Sequence, residues 1–161
     1  MKYAYIYDGK LYLNITNKCS NKCSFCIRND NSGIGGNDLW LSGDADFEGV
    51  KKALGEYNLD DFDEVIFCGF GEPVCNLEVL KQTAKYLKDM GKTIRLNTNG
   101  QGNLINGRNI VPELKGLIDI VSISLNASDA EKYQDICRSK YGISAYDAVL
   151  EFAALCSKEL P

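Results

Sequence analysis

Three apolar stretches of this chain are each too short for a helix, and each halts at glycine or asparagine. Glu64-Val65-Ile66-Phe67-Cys68 runs into Gly69, Thr93-Ile94-Arg95-Leu96-Asn97-Thr98 into Asn99-Gly100, and Leu117 to Leu125 into Asn126. Between and after them the apolar spacing changes to a helical period. Phe47, Val50, Lys51 and Leu54 define a helix over 46–57, and Leu77, Leu80, Lys81, Ala84 and Leu87 define another up to Met90, with Gly91 placed to cap it. Two more helices are predicted over 129–138 and 144–157. Strands alternating with helices predict parallel pairing through crossover connections, an α/β fold built as a barrel or an open sheet. Ligands in such folds collect at the carboxyl ends of the strands.

Ahead of these units, Tyr3 to Tyr7, the turn pair Asp8-Gly9 and Leu11-Tyr12-Leu13-Asn14-Ile15 predict a hairpin whose second strand leads into Cys19. Residues 29–43 are rich in asparagine, glycine, serine and aspartate and predict a long loop. Within it, Trp40 and Gly33-Ile34-Gly35-Gly36 are either a lid over a site or a surface stretch anchored by one tryptophan. A second glycine and asparagine loop is expected after Gly100. The 161 residues, 45% apolar and 25% charged, are the size and composition of one domain over 1–161.

Composition removes several function classes. No apolar run approaches the ~20 residues of a membrane helix, and the first residues lack the apolar core of a signal peptide, so a cytoplasmic protein with no membrane partner is expected. Net charge is −4 and the cations are scattered, which argues against a large nucleic-acid footprint and for a small-molecule or protein substrate. Histidine is absent. That excludes mixed-ligand zinc sites of the usual kind and histidine acid–base chemistry.

Seven cysteines without a secretory signal point to metal ligands or buried thiols rather than disulfides. Cys19, Cys23 and Cys26 are separated by three and then two residues at a strand end. Thiolates so spaced can hold one iron–sulfur cluster, and three ligands on four irons leave one iron open for chemistry. A zinc knuckle completed by a distant fourth cysteine is the other reading of the spacing. Cys68, Cys75, Cys137 and Cys156 lack paired spacing and read as small buried residues, Cys68 near the site.

The run Cys19-x-x-x-Cys23-x-Phe25-Cys26 resembles the signature of the radical S-adenosylmethionine (SAM) superfamily. The resemblance implies a 4Fe-4S cluster on the three cysteines, SAM on the open iron and Phe25 against the adenine. Gly69-Phe70-Gly71-Glu72-Pro73 looks like the family's glycine-glycine-glutamate-proline segment after the second barrel strand, which binds the SAM ammonium. Phe70 departs from the commoner glycine, as in the radical SAM RNA methyltransferases. Asn97-Thr98-Asn99-Gly100 is similar to a segment of the glycyl-radical activating enzymes, which implies SAM contacts at Asn97 and Asn99; Ser122, Ser124 and Asn126 match positions used on the ribose. Turn chemistry accounts for each of these polar strand ends equally well.

Over Leu11 to about Ala154 the chain most resembles the small radical SAM proteins associated with TatD-type nucleases. Membership implies an enzyme that reductively cleaves SAM to a 5′-deoxyadenosyl radical for hydrogen abstraction, served by a flavodoxin or ferredoxin-type reductant. A non-catalytic iron–sulfur electron-transfer module and a zinc-binding structural domain are the alternatives. Six barrel strands are usual in the family and four are readable here, so the expected architecture is a partial (β/α) barrel shortened after its fourth strand.

Overall fold

The structure is a computed structural model and describes residues 2–30 and 33–161. It opens with the predicted hairpin, β1 (Ala4–Tyr7) and β2 (Lys10–Leu13), paired antiparallel. Asp8 and Gly9 between them both take positive φ, 49° and 71°, the turn geometry that matches the twist of paired strands. Helix α1 (Phe47–Leu54), strand β3 (Glu64–Phe67), helix α2 (Leu77–Asp89), strand β4 (Thr93–Thr98) and strand β5 (Ile120–Ile123) follow. The sheet order is β1-β2-β3-β4-β5, with β2 through β5 parallel. β1 and β5 are its two edges, so the architecture is α/β with a partial, open barrel wall.

Strand alternation decides what each face does. Leu11, Leu13, Val65, Phe67, Ile94 and Leu96 point to one side and pack under Val50, Leu54, Leu80, Ala84 and Leu87 of the helices. Each of these leucines is almost wholly buried, and each contributes about 1.5–3 kcal/mol by leaving water. Tyr12, Ile66, Arg95, Asn97 and Ser122 alternate with them on the other side. There a smaller cluster of Tyr5, Leu39 and Phe70 covers only the hairpin end.

The helix ends are capped by acidic side chains at two N-termini and, as predicted, by Gly91 after α2. Asp46 accepts the Gly49 N–H at 2.7 Å to start α1. Past α2, Gly91 at φ 78° lets its N–H reach the Lys88 carbonyl and that of Lys92 reach Leu87, closing a Schellman-type stop. Asp129 caps α5 (Ala130–Cys137), which precedes α6 (Ala145–Glu159); Tyr133, Cys137, Ala145 and Val149 bury together between them.

Three expectations need adjustment. The stretch after Gly100 is not a loop but two short helices, α3 (Gly102–Asn106) and α4 (Val111–Leu114). The asparagines that gave it loop character bond nearby backbone N–H groups: Asn103 Oδ1 accepts the Ile110 N–H and Asn109 Oδ1 accepts the Val111 N–H. The fourth parallel strand begins at Ile120 rather than Leu117, because the Asp119 carboxylate, paired with Lys88, takes the Ile94 N–H at 2.8 Å. Helix α1 ends at Leu54, three residues early. Within 29–43, residues 33–43 form no helix or strand, while Asn31 and Ser32 lie outside the described residues. Among the described residues no helix is long and apolar enough to cross a membrane.

Candidate functional site

At the carboxyl ends of β2 to β5 a cavity of about 350 Å³ opens, lined by Cys19, Cys23, Phe25, Cys26, Gly69, Gly71, Glu72, Pro73, Asn97, Asn99, Ser124 and Asn126. Every site residue expected from the sequence is therefore on it except Ser122, which lies exposed on β5 opposite Asn97 in the ladder. Asn21, Ile27, Cys68 and Thr98 line it as well. Phe25 is 59% exposed on the lining, an aromatic face left open to a ligand.

The cysteine segment is fastened from three directions. Behind it, Gln101, 1% exposed, donates through Nε2 to Asn21 Oδ1 at 2.7 Å and to the Tyr133 hydroxyl at 2.9 Å, while its Oε1 accepts the Ser139 hydroxyl at 2.9 Å. From the side, Asn99 Nδ2 donates to Ser20 Oγ at 3.0 Å and to Cys19 Sγ at 3.8 Å, and the Asn21 N–H donates to the same sulfur at 3.4 Å. From α5, the Ile136 and Cys137 carbonyls accept the N–H groups of Ser24 and Lys22. Nothing in the local sequence marks Gln101, Tyr133 or Ser139 for this role. They lie 80, 32 and 38 positions from their partners across these bonds.

The glycines serve packing between strand ends. A Cβ on Gly69 would strike the Asn14 side chain, and one on Gly71 would strike the Thr16 carbonyl and come within 2.7 Å of Lys18 O. Their absence of side chain lets the β3 end lie flat against the β2 end, where the Glu72 N–H donates to Lys18 O at 2.7 Å. Phe70 has a structural cause too: it is 4% exposed and packs on Leu39, Tyr5 and, edge to face, Trp40 at 5.1 Å. Trp40 thereby anchors its loop, with the Arg28 guanidinium 5.9 Å over its ring, and it is not part of the cavity lining.

Glu72 is a buried strut. Its carboxylate accepts the Thr98 hydroxyl at 2.7 Å, the Asn99 N–H at 2.7 Å and the Val74 N–H at 3.4 Å. Burial pushes its carboxyl up to about 7 against the pull of those three bonds. Its charge is thus shared with β4 as well as presented to the cavity.

The donor set fits an iron–sulfur cluster with a polar co-ligand. Three free thiols share the cavity, and one already has hydrogen bonds directed at its sulfur, as cluster sulfurs do. Beside them the buried Asn97 Oδ1 has no hydrogen-bond partner. Burial pushes the Cys19 thiol up and the Cys23 thiol up to about 12, so both hold their protons at neutral pH and metal binding would release them. Among the described residues no three cysteine or carboxylate side chains are drawn together tightly enough to form a metal site.

Comparison with known proteins agrees with this arrangement. The Radical SAM superfamily profile matches residues 13–159. In Methanocaldococcus jannaschii, Uncharacterized protein MJ0804 is 29% identical over 149 residues, covering 92% of this chain and 43% of its own length. Uncharacterized protein MJ0907 of the same organism is 30% identical over 132 residues, covering 80% of this chain and 41% of its own length. The chain spans less than half the length of these relatives. With the profile running from the end of β2 to the end of α6 and the three cysteines inside it, the chain belongs to the radical SAM superfamily.

Proposed function

We propose that this chain holds a 4Fe-4S cluster on Cys19, Cys23 and Cys26, binds SAM beside it, and abstracts a hydrogen atom from a small-molecule or protein substrate. The cluster, when bound and reduced, supplies one electron that splits SAM into methionine and a 5′-deoxyadenosyl radical. The observation that carries this reading is the convergence in one cavity of the three thiols with the ends of β3, β4 and β5.

The chain's own residues do the placing. Asn99 and the Asn21 N–H stabilise negative charge on Cys19. Glu72 locks the β3 end to the β4 end, so that the backbone at Gly69 and Gly71 and the side chain of Asn97 face the same space. Phe25 offers an aromatic face for adenine, and Ser124 and Asn126 offer polar groups for a ribose. Seven free cysteines suit a reducing cytoplasm and a flavodoxin or ferredoxin-type electron donor.

Anaerobic reconstitution with iron and sulfide, reduction by dithionite in the presence of SAM, and chromatography for 5′-deoxyadenosine test the proposal. Product is expected from the unaltered chain and not from Cys23→Ala. A four-iron cluster that forms without product would refute SAM cleavage by this chain, and failure to assemble any cluster would refute the ligand assignment itself.

A further inference from the structure

The chain is acidic overall, with a net charge of −4, yet its cysteine segment is bordered by unpaired cations. The Lys22 N–H donates to Cys137 O at 3.0 Å and the Lys140 N–H donates to Ser20 O at 2.9 Å, so the end of α5 and the cysteine segment meet along a seam that carries Lys22, Arg138 and Lys140. All three side chains are exposed. Among the described residues none of the three has a carboxylate within ion-pair distance. The next cations along the segment are already engaged: Lys18 pairs with Asp44 at 2.6 Å, and Arg28 donates to Asn17 O and lies over the Trp40 ring. The acids of α5 face elsewhere. Glu131 and Asp135 stand two positions, about 200° of helix rotation, from Tyr133 and Cys137, which form the buried side on which Cys23 packs.

The seam adjoins two of the three expected cluster ligands. Lys22 directly precedes Cys23, and Ser20, to which Lys140 is bonded, directly follows Cys19. Both thiols are half-buried rather than enclosed. The Lys140 ammonium is held 5.0 Å over the Tyr141 ring, and Ile143, 56% exposed, adds an apolar surface on the same stretch of chain. Exposed cations with a small apolar patch at the margin of a redox site suit a brief encounter with an acidic protein, because charge steers the approach and little area need be buried. A nucleic acid would need a longer run of cations than these three.

We propose that Lys22, Arg138 and Lys140 form the docking face for a small acidic protein that delivers one electron to the cluster on Cys19, Cys23 and Cys26. This rests on the cluster assignment made above. The carrier's reduced centre loses one electron and the 4Fe-4S cluster gains it; no bond between the two proteins is made or broken.

The test uses a flavodoxin as the acidic carrier. It compares the parent chain with Lys22→Gln/Arg138→Gln/Lys140→Gln and with Lys51→Gln/Lys52→Gln/Lys158→Gln, a control that removes the same three charges from exposed positions on α1 and α6. Each is reconstituted anaerobically, its iron is counted, and its cluster is reduced with dithionite and desalted. On mixing with oxidised flavodoxin one electron passes from cluster to flavin, and the second-order rate is read from the flavin absorbance. At about 20 mM salt, where the screening length is ~20 Å, the seam variant should react about tenfold more slowly than the parent and the control within about twofold of it. The gap should close at about 0.5 M salt. If the seam variant binds less iron, Arg138→Gln/Lys140→Gln, which leaves the cysteine segment itself unaltered, replaces it and should react about fourfold more slowly than the parent. Equal rates for parent and seam variant overturn the inference. A control slowed as much as the seam variant overturns it too, since net charge alone would then account for the effect, and so does a slowing that high salt leaves intact. A parent chain that binds no cluster overturns the cluster assignment as well, whereas a cluster that forms and passes no electron to flavodoxin overturns this inference alone.

Discussion

Replacing Gln101 by leucine would remove the hub that fastens the cysteine segment while keeping much of the buried volume. Three side-chain hydrogen bonds disappear, to Asn21 Oδ1, the Tyr133 hydroxyl and the Ser139 hydroxyl, all in a buried setting. The backbone bonds of residue 101, its N–H to Asn99 Oδ1 and its carbonyl from the Ile105 N–H, survive. At about 1 kcal/mol for each bond lost, the variant should be destabilised by ~3 kcal/mol. For a domain of this size that corresponds to a fall in Tm of roughly 6–12 °C, measurable by circular dichroism. Because Asn21 lies between Cys19 and Cys23, iron uptake on reconstitution should fall in parallel. A Tm within about 2 °C of the parent would show that the network carries no net stability, and the account of how the cysteine segment is held would be wrong.

Two further outcomes follow from the same geometry. The Glu72 carboxyl sits at about 7 in the folded chain, above its ordinary 4.5, so the folded state keeps a proton that the unfolded chain has released. Its contribution to stability is present below pH ~4.5 and lost as pH rises through ~7, on the order of 3 kcal/mol; denaturation curves from pH 4.5 to 8 should show this slope in the parent and a flatter one in Glu72→Gln, and a Glu72-dependent rise in stability with pH would contradict the burial argument. Gly71→Ala should destabilise by about 1–3 kcal/mol because its Cβ meets backbone carbonyls of Thr16 and Lys18, whereas Gly43→Ala, with nothing within 4 Å, should be close to neutral; equal Tm shifts for the two variants would remove the packing explanation for the glycine at 71.

Read as sequence alone, the chain already determined the hairpin, the alternation of strands and helices, the helix starts at Asp46 and Asp129, the stop at Gly91, and the identity of most cavity residues. These are legible because period, cap chemistry and cysteine spacing are local signals, written within a few residues of where they act. The asparagine-rich stretch after Gly100 is not legible as helix because helices of five and four residues are too short to show a period, and the asparagines that bond their backbone look like loop composition. Ser122 shares a face with Ser124, yet only the latter reaches the end of the strand where the cavity opens. Only the tertiary structure decided that Glu72 is a buried strut, that the glycines serve strand-to-strand packing, and that Gln101, Tyr133, Ser139 and Cys137 support the cysteine segment. Those roles depend on desolvation and on hydrogen bonds between residues 26 to 115 positions apart along the chain, distances at which no local pattern carries information and only the packing of β4 and α5 against the cysteine loop supplies it.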